Sequence, residues 1–165
     1  MAKVYYDADG DVSFLKSSTI GIIGYGIQGR AQSQNLRDSG FEVIIGNRDD
    51  GYQDNANEDG FQLHSLSEVA EKADVIMILI PDDAQQSVYE THIQPHMREG
   101  KTLVFAHGFS LRYKRIVPPS DVDVLLLAPR MPGRMIRQRY LDDSGAPVFV
   151  GVHQDYTGTA LKKVL

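Results

Sequence analysis

Short apolar runs alternate with longer amphipathic segments along this chain, and that rhythm predicts strands and helices in turn. The run at 74–80 hardly alternates between polar and apolar positions, which is typical of a strand buried on both faces of a parallel sheet. We expect six strands, at residues 19–24, 41–46, 74–80, 101–105, 123–127 and 147–152. We expect helices at 31–36, 67–72 and 83–93, and further helices that begin near Pro132 and near Thr157.

Composition and charge narrow the classes of function. The chain has 165 residues, of which 42% are hydrophobic and 24% charged, as in one ordinary globular domain. Its formal net charge of −5 argues against a nucleic-acid partner. No apolar run approaches the ~20 residues that span a bilayer, and the polar start is unlike a signal peptide. With no cysteine, the chain fits a reducing compartment, so we expect a cytoplasmic protein with no membrane partner.

A glycine-rich turn follows the first predicted strand and opens a helical segment. Residues 24–29, Gly24-Tyr25-Gly26-Ile27-Gln28-Gly29, fit G-x-G-x-x-G. In this context the glycines permit a tight turn, close approach of the backbone to a pyrophosphate, and close packing of helix on strand. We therefore predict dinucleotide binding on a Rossmann-type, doubly wound and mostly parallel sheet with helices on both faces. The alternative is a strand-to-helix turn that binds nothing.

The end of the second predicted strand carries Arg48, Asp49 and Asp50, and residues at this position distinguish NAD from NADP. A carboxylate there hydrogen-bonds the ribose diol of NAD, whereas two carboxylates repel the 2′-phosphate of NADP. This pattern favours NADH. The alternative is that Asp49 and Asp50 only form a solvated turn before Gly51.

Polar residues at other strand ends are further candidates, because ligands bind beyond the carboxyl ends of parallel strands. Asp82 and Asp83 follow the third strand, where the alternative role is capping the next helix. His107 follows the fourth strand and is a candidate for catalysis or substrate contact. After the fifth strand, Arg130, with Arg134 and Arg137 on the same helix face, suits an anionic substrate or cofactor phosphates; the alternative is a solvated cationic face.

Several motifs occur together in one order, at residues 24–29, 36–40, 80–85, 106–109 and 117–119: GYGIQG, LRDSG, IPDDAQ, AHGF and VPP. On these motifs the chain resembles the N-terminal domain of ketol-acid reductoisomerase. That resemblance implies conversion of 2-acetolactate to 2,3-dihydroxy-isovalerate in branched-chain amino-acid biosynthesis, by a magnesium-dependent alkyl shift and a hydride transfer from NAD(P)H. A hydroxyacid dehydrogenase or an imine reductase does not explain AHGF followed by VPP.

The resemblance also implies roles for individual residues. His107 matches the active-site histidine, and Arg130 stands where the family has a lysine, so it is a candidate for substrate or phosphate contact. Asp49 and Asp50 replace the Lys and Ser that commonly hold the 2′-phosphate, which again favours NADH. The matched cofactor contacts are Tyr25, Gly26, Ile27, Gln28, Arg48, Asp82, Asp83, Ala84, Gln85 and Gly133.

The domain organisation follows from the same comparison of motifs. We expect residues 1–165 to form one NAD(P)-binding domain that stops before its closing helix and strand. The family's helical C-terminal domain, which supplies the Mg²⁺ ligands, is absent from these residues, so we expect no metal ligand here. The complete enzyme is expected to act on a small 2-acetohydroxy acid and to form a homo-oligomer. The alternative is a stand-alone dinucleotide-binding module without catalysis.

Overall fold

The computed structural model describes residues 3–49 and 51–165, and Asp50 lies outside the described residues. Within these ranges, seven strands form one sheet. They are β1 (Thr19–Ile23), β2 (Glu42–Gly46), β3 (Leu63–His64), β4 (Val75–Ile78), β5 (Thr102–Phe105), β6 (Asp123–Pro129) and β7 (Val148–Gln154). Their order across the sheet is β3-β2-β1-β4-β5-β6-β7.

The helices of the described residues connect these strands. They are α1 (Ile27–Asp38), α2 (Tyr52–Glu58), α3 (Leu66–Lys72), α4 (Asp82–Val88), α5 (Phe109–Arg112), α6 (Gly133–Leu141) and α7 (Ala160–Val164). A π-helical turn, Tyr89–Ile93, continues α4, and 3-10 turns lie at Asp7–Asp9, Val12–Leu15 and Gln94–His96. None of the helices in the described ranges is long and apolar enough to cross a membrane.

The sheet is mostly parallel, as the sequence predicts; of the seven described strands, β7 alone runs antiparallel, beside its neighbour β6. Val148 pairs with Pro129, so β7 begins beside the carboxyl end of β6. After α6 the chain has therefore returned to the end of the sheet that it left, instead of crossing to the other end. A parallel strand would have required such a crossover.

Three of these strands and helices were not predicted from the sequence: β3, α2 and the four-residue α5. Strand β3 has only two residues and pairs with the end of β2, and α2 lies in an Asp/Asn-rich stretch whose polar residues do not favour helices. The helix predicted at 83–93 begins one residue earlier, at Asp82, and becomes π-helical from Tyr89.

Side chains of the central strands pack alternately on the two faces of the sheet. Ile23 and Ile76 belong to the core beneath α3 and the π-helical turn, whereas Ile22 and Val75 belong to the core that contains Ala160 of α7. All of these side chains are buried. Because both faces are covered, the apolar runs of β1 and β4 are nearly continuous, and the predicted doubly wound α/β class is confirmed.

Candidate active site at the carboxyl ends of the central strands

The carboxyl ends of β1 and β4 lie side by side near the middle of the sheet. From β1 the chain continues to β2 on one side, and from β4 it continues to β5 on the other. Open α/β sheets bind ligands where the strand order reverses in this way. A cleft of about 830 Å³ opens there, and its lining includes ten of the predicted residues: Gly24, Gly26, Ile27, Gln28, Arg48, Asp82, Asp83, Ala84, Gln85 and His107.

A second cavity, of about 500 Å³, lies on the α1 side of the sheet. Its walls are mainly apolar, with Leu36, Met77 and Leu127 among them. None of the candidate residues that the structure describes lines it. Of these two cavities, the cleft is the one lined by the polar residues that the sequence singled out.

The glycine turn has the geometry that dinucleotide binding requires. Gly24 has φ +101°, and a Cβ there would lie 2.5 Å from Ile80 Cγ2, so another residue would be strained and would clash. A Cβ at Gly29 would lie 1.9 Å from the Gly24 carbonyl oxygen, which shows how closely α1 packs on the turn. A Cβ at Gly26 would meet nothing within 4 Å. The open space at Gly26 therefore faces the cleft and is not used by the fold.

Helix α1 begins at this open position without a side-chain cap. Gly26 is the N-cap residue, and among the described residues no side-chain hydrogen bond caps the first turn. The side chain of Gln28 is already engaged, because its Nε2 donates to the Met131 carbonyl and its Oε1 accepts from Gln32. At the start of α1, backbone N–H groups and the helix dipole are the features available to an anion.

Tyr25 lies inside the glycine motif, but its side chain is fully buried and is absent from the cleft lining. Its backbone N–H donates to Asn47 Oδ1 at 3.0 Å, and its hydroxyl donates to Asp59 Oδ2 at 2.8 Å. Burial, together with the bond to Asp59, raises the pKa of Tyr25. Tyr25 thus holds both ends of the segment that follows β2, and its side chain supports the cleft from behind.

Asp59 is the acceptor at the far end of that segment. Arg30 donates to it from Nε at 2.7 Å and from Nη2 at 2.9 Å, so the guanidinium and the carboxylate form a bidentate pair. Burial alone would raise the pKa of Asp59, but the hydrogen bonds from Arg30 and Tyr25 keep it below its ordinary value. The segment is therefore tied to α1 by an ionised group.

The residues predicted to select the cofactor are only partly brought to the cleft. Arg48 lines the cleft, whereas Asp49 is exposed beside it at the end of β2. Asp50 lies outside the described residues. The structure therefore places one carboxylate, Asp49, next to the residue that lines the site.

His107 and Asp82 meet across the cleft. His107 follows β5, and its Nδ1 lies 2.5 Å from Asp82 Oδ2. Asp82 does not cap α4, because Pro81 is the N-cap residue and no side-chain cap is present in the part of the chain that the structure describes. The capping alternative for Asp82 and Asp83 is therefore wrong. Asp82 instead joins the histidine to the buried Gln85, whose Nε2 donates to Asp82 Oδ1 at 3.1 Å.

The structure places Gly133 and Arg130 outside the cleft lining. A Cβ at Gly133 would lie 2.0 Å from the Ile27 carbonyl oxygen, so this glycine permits close packing of α6 on α1. Arg130 is exposed, and its guanidinium lies 5.0 Å from the ring centroid of Phe149. Arg137, from the predicted cationic face, forms an ion pair with Asp38 at 2.5 Å and links α6 to α1.

Asn47 and Ser110 help to shape the site but were not among the predicted residues. Asn47 holds the glycine turn, and its position directly after β2 is a signal that could have identified it. Ser110 donates to Gln85 Oε1 at 2.7 Å, and only the tertiary structure reveals this contact. Within residues 3–49 and 51–165, no group of three or more His, Asp or Glu side chains is arranged to hold a metal ion.

Comparison with known proteins agrees with the resemblance. A family model described as "Acetohydroxy acid isomeroreductase, NADPH-binding domain" matches residues 14–165. The ketol-acid reductoisomerase (NADP(+)) of Pyrococcus abyssi is 48% identical over 161 residues, covering 97% of this chain and 48% of that protein. The enzyme of the same name from Pyrobaculum neutrophilum is 49% identical over 166 residues, covering 100% of this chain and 51% of that protein.

A solved structure is also similar along the chain. It is that of an NADH-preferring ketol-acid reductoisomerase from an uncultured archean, with a TM-score of 0.96 and 42% identity. The match covers 99% of this chain and 51% of that chain. This chain therefore spans about half the length of the curated relatives that it matches.

Proposed function

Because the chain belongs to the acetohydroxy acid isomeroreductase family, through that family's NADPH-binding domain, we propose that it binds NADH or NADPH in the cleft between the carboxyl ends of β1 and β4. We propose that it does so as the cofactor-binding part of a ketol-acid reductoisomerase. That enzyme converts 2-acetolactate, a 2-acetohydroxy acid, to 2,3-dihydroxy-isovalerate in branched-chain amino-acid biosynthesis. The observation that carries the proposal is the uncapped start of α1 at the glycine turn.

The turn fits the pyrophosphate of a dinucleotide. Gly26 has φ −72°, a conformation that any residue adopts, and a Cβ there would meet no atom within 4 Å. The fold itself therefore does not require glycine at this position, whereas a ligand that approaches the backbone does. The uncapped N–H groups of α1 and its dipole supply the matching positive potential.

The choice between the two cofactors depends on the end of β2. Asp49 follows β2, where a carboxylate can accept from the ribose hydroxyls of NADH, and its charge would oppose a 2′-phosphate. A guanidinium such as that of Arg48 can stack on adenine in either cofactor. We therefore propose a preference for NADH, which the similarity to an NADH-preferring relative supports.

In the proposed reaction the bound nicotinamide supplies the hydride. The residues of this chain contribute orientation: α1 holds the phosphates, and the residues after β4 and β5 lie where the reacting end of the cofactor belongs. His107, exposed and beside Asp82, orients substrate or water or relays a proton.

The described residues do not fit magnesium, since they hold no suitable group of acidic or histidine side chains. We propose that the magnesium ligands belong to the helical domain of the family's longer members. By the same resemblance we propose a homo-oligomeric enzyme of the cytoplasm.

Paired calorimetric titrations with NADH and NADPH at matched ionic strength test the cofactor site. Gly26→Ala is expected to fold normally but to weaken binding of both cofactors at least about 10-fold, or 1.4 kcal/mol. Gly145→Ala is the matched control, because its added Cβ also meets nothing within 4 Å but lies in the loop before β7. Asp49→Ser should shift the ratio of affinities toward NADPH. Equal binding by the Gly26 variant and the unaltered chain would contradict the proposed site.

A further inference from the structure

A chain of hydrogen bonds runs from the interior of the protein to His107. Ser110, with no exposed surface, donates from Oγ to Gln85 Oε1 at 2.7 Å. Gln85 is 2% exposed and donates from Nε2 to Asp82 Oδ1 and to the Ile80 carbonyl, each at 3.1 Å. The other oxygen of Asp82 lies 2.5 Å from His107 Nδ1. Two buried polar side chains thus support one carboxylate at the cleft.

The direction of each hydrogen bond in this series is fixed by the groups involved. The amide group of Gln85 faces two acceptors, Asp82 and the Ile80 carbonyl, so its NH₂ must point toward them and its oxygen toward Ser110. The carboxylate of Asp82 can only accept, so Nδ1 of His107 carries the hydrogen that joins them. In the neutral imidazole this leaves Nε2 without a proton.

We propose that Gln85 and Ser110 are positioning residues that hold Asp82 against Nδ1 of His107 and thereby present Nε2 of His107 as the proton acceptor of the cleft. Asp82 is 32% exposed and His107 67%, so neither side chain is fixed by burial. Without Gln85, one oxygen of Asp82 loses its protein donor and the carboxylate is free to rotate into water. This assigns Gln85 a role through Asp82 and His107 in place of a direct cofactor contact. The inference rests on the proposed function.

NMR of the histidine ring nitrogens in the ¹⁵N-labelled chain tests the positioning directly. The spectra are recorded at a pH at which the His107 imidazole is neutral. In the unaltered chain we expect a single Nδ1–H form of His107. In Gln85→Met, which keeps the length of the side chain but removes its donor, we expect both tautomers to be populated. Ser110→Ala should change the same signals less, because Gln85 keeps its two acceptors. A mixture of tautomers in the unaltered chain would overturn the proposal.

Ser67→Ala is the matched control. Its hydroxyl lies 3.0 Å from Nδ1 of His92, outside the cleft lining, so this variant should move the signals of His92 and leave those of His107 unchanged. Should Gln85→Met not fold, Ser110→Ala, which removes one hydroxyl, decides the matter. Unchanged His107 signals in a folded Gln85 variant, or in Ser110→Ala where that is the only folded one, would overturn the proposal.

Kinetics separate positioning from a purely structural effect. In the chain joined to a helical domain of the family, we expect Gln85→Met to lower kcat about 10-fold, a fraction of the roughly 10²–10⁴-fold effect of a positioned proton-transfer group. The Kd for the preferred cofactor should stay within about threefold. Loss of cofactor binding with unchanged tautomers would overturn the inference. Failure of the unaltered chain to bind either cofactor would instead overturn the proposed function, and the NMR result would still stand by itself.

Discussion

Replacing Asp123 by Asn tests how the last strand and helix are attached to the sheet. Asp123 begins β6 and has no exposed surface. It accepts hydrogen bonds from the backbone of Tyr156 at 2.8 Å and of Thr157 at 3.0 Å, and from Thr157 Oγ1 at 2.7 Å. Lys163 of α7 completes the set, with its Nζ at 2.6 Å. One buried carboxylate therefore holds both the turn after β7 and helix α7.

The size of the effect follows from the burial of the ion pair. Removing one partner of a buried pair costs about 3–5 kcal/mol, because the other charge is left uncompensated. Lys163 retains 13% exposure and a second contact, Thr102 Oγ1 at 3.0 Å, which places the loss at the lower end, near 3 kcal/mol. At about 2–4 °C per kcal/mol for a chain of this size, Tm should fall by roughly 6–12 °C.

Urea unfolding followed by far-ultraviolet circular dichroism measures this loss, since the chain has no tryptophan for fluorescence. Asp143→Asn is the matched control: Asp143 is exposed and has φ +51°, which asparagine tolerates, so stability should change by less than about 0.5 kcal/mol. Hydrogen exchange adds a local measurement, because the amides of Tyr156 and Thr157 should exchange faster only in the Asp123 variant.

The pH dependence of stability is a second test of the role of Asp123. Burial alone would raise the pKa of Asp123, but hydrogen bonds from Lys163 and Thr157 bring it below its ordinary value of 3.8. Its contribution to stability is thus present above pH 3.8 and lost as pH falls through the lower folded value. The Asn variant should lack that acid-side loss. If the Asn variant lost less than about 1 kcal/mol of stability at neutral pH, with an unchanged slope of the unfolding free energy against urea concentration, the assigned role would be refuted.

Three further predictions concern other buried or exposed groups. The Tyr89 hydroxyl is buried without a hydrogen-bond partner among the described residues, so Tyr89→Phe should raise the free energy of unfolding by about 1 kcal/mol, measured by the urea midpoint. Burial lowers the pKa of Lys101 to about 8, so stability should rise from pH 8 toward the ordinary value of 10.5, and Lys101→Met should abolish that rise in pH-dependent unfolding. His107→Gln should lower kcat of the complete enzyme at least about 100-fold while calorimetry shows a nearly unchanged cofactor Kd.

The central fold was predictable because its strands are buried on both faces. The apolar runs of β1 and β4 have no competing interpretation at the level of local sequence. The two-residue β3 and the helix α2 were not predictable, since their sequences are short or polar and only tertiary pairing selects them. The antiparallel direction of β7 depends on where α6 returns the chain, which periodicity does not encode.

The sequence identified the strand ends that form the candidate site, but it could not show which way each side chain points there. Motif positions identified Tyr25 and Gln85, yet their side chains are buried and support other residues. Gly133 likewise permits helix packing. A sequence motif records that a residue type is required at a position. It does not say whether the backbone, the side chain or, for a glycine, the lack of a side chain meets the requirement.

The buried charges and the cleft lie at opposite ends of the sheet, which separates stability from binding. Lys101 and Asp123 stand at the amino ends of β5 and β6, where Lys101 Nζ donates to the Ala70 and Glu71 carbonyls that end α3. Gly26 lies beyond the carboxyl end of β1, at the start of α1. Asp123→Asn should therefore lower stability without changing cofactor affinity. Gly26→Ala should weaken cofactor binding without changing stability. If both properties changed together in either variant, the two ends of the sheet would be energetically coupled.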